Sequence, residues 1–263
     1  MFKKYIHFFA RYISNFNNIL KLAIIFFSWK YNNRIVLKHK NWFKFIVENR
    51  LDLITIKEVM NDYNILSLSS CWWNNIIIDI WWHKWYFSCF LAYLNNEAEV
   101  YCYEPDPLLF EIINNHIKLN NLKNCFVYNA AISWNDSIMD FWTYWNFNSN
   151  AWTLQFNKIS HNDIKLEKVI KVKVIGINNI LTKFQSVSFL KIDCEWEEFN
   201  IFHEISEYNI KKIENVICEF HEFDNNRKEK ILNKFLKNNF LIQKLYYILN
   251  ENKQWIVIFK NSN

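Results

Sequence analysis

Four groups able to move a proton fall at two points of the chain. Asp193 and Glu195 lie in Ile192-Asp193-Cys194-Glu195-Trp196-Glu197-Glu198, and Glu219 and His221 in Cys218-Glu219-Phe220-His221. Both segments follow apolar runs of strand character. Carboxylates and an imidazole at strand ends suit general-base work, the removal of a proton from a reacting group. Each residue also has a plainer use. Asp193 can cap the following helix, with Glu197 and Glu198 in its first turn. Glu195 can bond loop amides, Glu219 can orient a neighbour, and His221 can sit solvated in a loop. Asp193, Glu195, Glu219 and His221 also form a donor set of the type that holds Mg or Mn, but the expectation is that no metal is bound.

The segment Asp79-Ile80-Trp81-Trp82-His83-Lys84-Trp85-Tyr86-Phe87-Ser88 implies different chemistry. With glycine at 81 and 85 it would be a tight strand-to-helix turn, whose helix N-terminus attracts an anionic group and whose Asp79 can hold a cation. Such a loop alone does not name a cofactor, because several nucleotide cofactors use one. Glu104 follows about 20 residues beyond the loop, where an acid can accept both hydroxyls of a ribose. Asn129-Ala130, after a third strand, is placed to contact an adenine. The expected cofactor contacts are therefore Asp79, Trp81, His83, Trp85, Tyr86, Glu104, Asn129 and Ala130, with His83 a loop residue near the cofactor rather than a catalyst.

The chain has one glycine, Gly176, and 13 tryptophans, where average usage gives roughly 18 glycines at this length. Trp72-Trp73, Trp81, Trp82, Trp85, Trp134 and Trp196 stand where turns want glycine, the residue that takes positive φ and admits close approach most cheaply. The position and the number together suggest UGA codons that mean glycine but are written as tryptophan. Real indoles at 81 and 85 would instead fill the space a cofactor needs and imply an aromatic stacking surface.

The elements that must position these residues follow from periodicity. Buried-strand runs are expected at 75–80, 99–103, 125–128, 188–193 and 215–220, each followed by helical or turn signals: helices at 86–94, 108–119, 197–206 and 227–238. Residues 42–47 resemble a strand and 56–60 a helix. Residues 138–156 suggest a hairpin over the sheet edge, with Trp142, Tyr144, Trp145 and Phe147 packing on one another and Trp152 in its turn, and 168–174 alternates as a half-exposed strand. Two terminal strands are expected near 241–247 and 255–260. Alternating strands and helices imply an α/β, doubly wound, Rossmann-like sheet with right-handed crossovers, mostly parallel with an antiparallel C-terminal strand. Residues 1–64 read as an N-terminal helical or mixed cap and 65–263 as one catalytic domain, without a Pro/Gly/Ser linker between further domains.

A length of 263 residues, 51% apolar and 22% charged, fits one compact core and excludes disordered or fibrous classes. The net charge of +5 is dispersed along the chain, so no nucleic-acid partner is expected. The six cysteines form no CxxC pair and read as buried thiols in a reducing cytoplasm. Residues 1–27 are apolar but interrupted by Arg11, Asn15, Asn17, Asn18 and Lys21, which suits a packed amphipathic helix or loose contact with a membrane surface rather than a span.

With tryptophan read as glycine, the loop after Asp79, the Glu104-Pro105 pair, Asn129-Ala130 and above all Ile192-Asp193-Cys194-Glu195-Trp196-Glu197-Glu198 resemble the FkbM family of methyltransferases over roughly residues 42–260. Glu197 departs from the family pattern, which often has an apolar residue there. The resemblance implies S-adenosylmethionine (SAM) as cofactor, bound by residues 79–86, 104 and 129, and transfer of its methyl group to an oxygen, typically of a sugar or a lipid-linked saccharide precursor. Two other functions compete. A Rossmann-type NAD oxidoreductase leaves Asp193-Cys194-Glu195 without a use, and a non-catalytic aromatic-rich carbohydrate-binding protein requires real indoles at 81, 82 and 85.

Overall fold

The computed structural model describes residues 34–48, 52, 53, 55, 56, 59, 75–80, 86–146, 149–153, 165–194, 197–220, 225–248 and 254–262. The expectations for residues 1–27, for Trp72-Trp73, for the loop 81–85 and for Glu195, Trp196 and His221 lie outside the described residues. The chain divides into two compact units. One comprises Met1–Trp73, His83–Asn96 and Glu111–Cys125, and the other Asn74–Trp82, Glu97–Phe110 and Phe126–Asn263.

In the first unit, strands β1 (Ile35–Lys38) and β2 (Lys44–Val47) form an antiparallel hairpin. Residue 42, expected within the strand, instead closes the turn: Trp42 has φ 71° and donates its N–H to the His39 carbonyl at 2.8 Å. Phe43, Phe45 and Phe90, with His39, Tyr86 and Tyr93, make an aromatic core of edge-to-face and tilted ring pairs on helix α1 (Tyr86–Leu94). Two side chains of helix α2 (Pro107–Asn120) pair with β2. His116 Nε2 accepts the Ile46 N–H at 2.9 Å, while Asn120 accepts from the Lys44 N–H and donates to its carbonyl.

The second unit holds a seven-stranded sheet. It contains β3 (Ile76–Ile80), β4 (Glu99–Tyr103), β5 (Cys125–Tyr128, reaching it from Phe126), β10 (Phe189–Ile192), β11 (Asn215–Phe220), β12 (Phe240–Ile248) and β13 (Gln254–Asn261). The order is β12-β13-β11-β10-β3-β4-β5, with β10 parallel to β3 and β11, and β3 parallel to β4. Only β13 is shown reversed: it runs antiparallel to both β11 and β12, so β12 lies parallel to β11. The sheet is doubly wound and mostly parallel. Its centre is made of strands such as Phe189-Leu190-Lys191-Ile192, buried at every position, as a sheet covered on both faces requires.

A second sheet, of order β6-β9-β7-β8, joins β6 (Ala131–Ser133), β7 (Ser137–Asn146), β8 (Ser149–Thr153) and β9 (Lys165–Gly176). The hairpin expected at 138–156 is thus half of a four-stranded sheet, and Trp152, expected in its turn, stands in β8 opposite Thr143. Trp134, between β6 and β7, is absent from the described residues with positive φ, so its backbone makes no demand for glycine. Gly176 does face a close neighbour: a Cβ there would lie 3.0 Å from Asn135 Cα.

Helix ends follow from local chemistry. Asp106 caps α2, accepting the Leu108 N–H at 2.7 Å, and Pro107 takes the first helical position, where no N–H is needed. At its other end Asn121 adopts φ 52°, and bonds from Leu122 N–H to Ile117 O and from Asn121 N–H to Lys118 O satisfy the last carbonyls.

Candidate active site

The carboxyl ends of the parallel strands carry an acidic row. Register places Asp79 of β3 beside Lys191 of β10 and beside Cys102 of β4. Side-chain alternation then puts Asp79, Lys191 and Glu219 on one face. The other face carries Ile78, Ile80, Leu190, Ile192, Val216 and Cys218, all in the main core cluster. Asp193 and Glu104 each lie two residues beyond a member of the first face, Lys191 and Cys102, at adjoining strand ends.

The row is buried. Glu104 and Lys191 are 0% exposed, Asp79 1% and Asp193 4%, with Glu219 half-buried. The Lys191 ammonium stands 3.6 Å from Asp79 Oδ1 and 3.5 Å from Asp193 Oδ2. Burial alone pulls this ammonium toward neutrality, but Asp79, Asp193 and Glu219 together outweigh it and hold the lysine above its ordinary range. A charge buried this deeply is tolerable only with such partners.

Asp193 faces the lysine, four residues before Glu197, the N-cap of the helix that follows, α3 (Glu198–Glu204). The bond that ties that helix start is made by Glu198, whose Oε1 accepts the Cys194 N–H at 2.9 Å. Glu197 is fully buried and accepts from the Ser133 hydroxyl and from Asn200 Nδ2, which accounts for an acid where the family pattern often has an apolar residue. Burial pushes the Cys194 and Cys218 thiols up, so neither offers a thiolate.

At the end of β4, Glu104 Oε1 accepts the Asp106 N–H at 2.7 Å, and its own N–H reaches the Tyr128 carbonyl at 3.0 Å. Asn129 is exposed, with Nδ2 donating to the Glu104 and Pro105 carbonyls at 2.9 and 3.1 Å, so its amide clamps the turn that carries Glu104. Ala130 is buried and its N–H donates to Tyr128 O. Tyr86 belongs to the first unit, where its buried hydroxyl donates to the Ile46 carbonyl at 2.6 Å and burial raises its pKa well above the phenolic range.

Of the expected site residues, then, Asp79, Glu104, Asp193 and Glu219 meet along one strand edge, Asn129 and Ala130 border it, and Tyr86 is spent on packing in the first unit. Trp81, His83, Trp85, Glu195 and His221 lie outside the described residues. Lys191 was missed from the sequence, although a signal existed: a lone cation inside the apolar run Phe189-Leu190-Lys191-Ile192, two residues before Asp193. No cluster of three or more metal-holding side chains occurs among the described residues.

An open, mostly parallel sheet with acids at the carboxyl ends of adjacent strands defines an enzyme of the doubly wound, nucleotide-cofactor class. Residues 74–254 match the family described as the methyltransferase FkbM domain, and the chain belongs to that family. It is a SAM-dependent methyltransferase. No curated protein matches the sequence. Among solved structures it is similar to an FkbM methyltransferase from Methylobacillus flagellatus KT, with 13% identity, coverage of 71% of this chain and 43% of that one, and a TM-score of 0.48. An rRNA methylase from Streptococcus thermophilus shares 11% identity, with 76% and 95% coverage and a TM-score of 0.46. TrmK of M. capricolum, in complex with S-adenosyl-homocysteine (SAH), shares 13% identity, with 78% and 70% coverage and a TM-score of 0.45.

The described residues fit SAM by their chemistry. Buried carboxylates on adjacent strand ends, Asp79 and Glu104, suit a ligand that presents an ammonium and a ribose diol.

Proposed function

We propose that this chain methylates a hydroxyl oxygen of a sugar, free or in a glycan or lipid-linked saccharide precursor. The observation that carries the oxygen acceptor is Asp193, a carboxylate 4% exposed at the carboxyl end of β10, two strand positions from Lys191 and 3.5 Å from its ammonium. The sugar class rests on family membership.

Bound SAM supplies an electrophilic methyl group. Asp79 holds the cofactor ammonium, Glu104 accepts the ribose hydroxyls, and Asn129 keeps the Glu104 turn in place. Trp81, His83, Trp85 and Ala130 complete the cofactor contacts expected from sequence, whereas Tyr86 serves by packing α1. Asp193 takes the proton of the acceptor hydroxyl, with Glu195, Glu219 and His221 the other candidates for that step. Residues 1–64 act as a cap to the catalytic domain of 65–263, and residues 1–27 allow weak contact with a membrane surface. Among the described residues no helix is long and apolar enough to cross a membrane, and we place the enzyme in the cytoplasm.

The test is incubation with methyl-deuterated SAM and a panel of hexoses, nucleotide sugars and lipid-linked saccharides, with products read by mass spectrometry and NMR. A deuterated O-methyl ether on one sugar is the result expected. Label found only on a nitrogen or on RNA overturns the reading.

A further inference from the structure

We propose that Lys191 is a positioning residue for the transfer, holding Asp79 and Asp193 side by side as two carboxylates so that one serves the cofactor while the other serves the acceptor. The proposal rests on the reading of Asp193 as the group that faces the acceptor. Its basis is geometric: one buried ammonium spans two adjacent strands, 3.6 Å from Asp79 Oδ1 and 3.5 Å from Asp193 Oδ2.

Two carboxylates buried this close repel, and a pair of that type commonly shares one proton, which leaves one of the two unable to act as an anion. In this site either loss is harmful. A protonated Asp79 loses its attraction for an ammonium, and a protonated Asp193 cannot accept a proton. The lysine removes the conflict.

The charges around it are asymmetric in a consistent way. Among the described residues, Lys191 is faced by Asp79 from β3, Asp193 from the end of its own strand and Glu219 from β11, with Cys102 and Glu104 of the β4 segment beyond Asp79. From the opposite face come the Cys194 and Cys218 thiols, both neutral. β13 adds only an apolar neighbour, Ile256, opposite Glu219. The ammonium thus stands among several acids on its face, and its loss would remove the positive charge that Asp79 and Asp193 share.

The test is calorimetric titration of SAH into wild type, Lys191→Met and Lys191→Arg at pH 6 to 9, each in two buffers of different ionisation enthalpy. Wild type and Lys191→Arg should bind with no net proton exchange and an affinity flat across this range. Lys191→Met should release about one proton near neutrality as the cofactor ammonium arrives, with affinity rising about tenfold per pH unit until the pair is ionised. Its methyl transfer should recover in the same alkaline range, which simple loss of packing would not produce. An affinity of Lys191→Met that is as flat with pH as wild type overturns the proposal.

If Lys191→Met fails to fold, wild type alone still decides: proton release on SAH binding near pH 7 would mean that Asp79 and Asp193 already share a proton, and would overturn it. The two readings fail separately. Absence of sugar methylation alongside the expected proton counts sinks the acceptor assignment and leaves the lysine's role, whereas absence of SAH binding by wild type sinks both.

Discussion

Asp79 and Lys191 are cross-strand neighbours on β3 and β10, and the ammonium that faces Asp79 at 3.6 Å also faces Asp193 at 3.5 Å. In the proposed roles, Asp79 serving the cofactor and Asp193 the acceptor, the two ends of the site are coupled through one side chain.

Asp193→Asn should lower kcat about 10²- to 10⁴-fold, the range typical for a positioned base, while leaving the SAM Kd within a few-fold. Initial rates of SAH release at saturating SAM measure this. Unchanged kcat would return the proton-transfer role to Glu195, Glu219 or His221.

Trp42 holds φ 71°, a conformation that costs a non-glycine residue about 1–2 kcal/mol. The Lys38 ammonium 3.5 Å from its ring centroid gives back about 0.5–1 kcal/mol. Trp42→Gly should therefore raise Tm by a few degrees, whereas Trp42→Ala, which keeps the strain and loses the ring, should not. Peptide masses from the natively produced protein, read at residues 42, 81, 82, 85 and 196, show directly whether glycine already stands there.

His39 is buried beside Phe45 and Phe90, with burial and then Lys40 pushing its pKa down from 6.5 to about 4. The unfolded chain therefore binds a proton below about pH 6.5 that the folded chain refuses until about 4. Stability is fully present above that window and falls as pH drops through it, by roughly 3–4 kcal/mol at one pKa unit per 1.4 kcal/mol. Thermal melts of wild type and His39→Leu from pH 7.5 to 4.5 should show a shallower acid decline for the variant. Parallel declines would contradict the assignment.

Gly176→Ala should lower stability by about 1–3 kcal/mol, because the new Cβ meets backbone that cannot swing aside. The nearest atoms are Asn135 Cα at 3.0 Å and the Trp134 carbonyl at 3.2 Å. The same shift would disturb the bond from the Gly176 N–H to Asp136 Oδ1, now 2.8 Å. A denaturant midpoint equal to that of wild type would count against it.

Local pattern was enough to locate much of the fold. Tyr86–Leu94, Glu99–Tyr103, Cys125–Tyr128 and Asn215–Phe220 occur with the bounds their periodicity indicates. Strand ends were legible too, because an acid stands at or beside each: Asp79 one residue before the end of β3, Glu104 just after β4 and Asp193 just after β10. What periodicity could not convey was pairing. That β13 slots between β11 and β12, or that β6 and β9 join the hairpin, depends on contacts far apart in sequence. Lys191 escaped for a related reason: its meaning comes from Asp79, 112 positions away in sequence and adjacent only in the sheet. The glycine deficit also had a partial answer that composition concealed. Asn121 and Asn239 take positive φ just past two helices, where asparagine is the usual alternative to glycine, while Trp42 takes it in a hairpin turn.

The most direct measurement is calorimetric titration of SAH into the wild-type protein and into Asp79→Ala at pH 7.5. One site per chain in wild type, weakened at least about tenfold in Asp79→Ala with the melting profile retained, is the predicted result. Equal affinity in the two proteins, or no binding to wild type, would contradict the cofactor site at the carboxyl edge of β3.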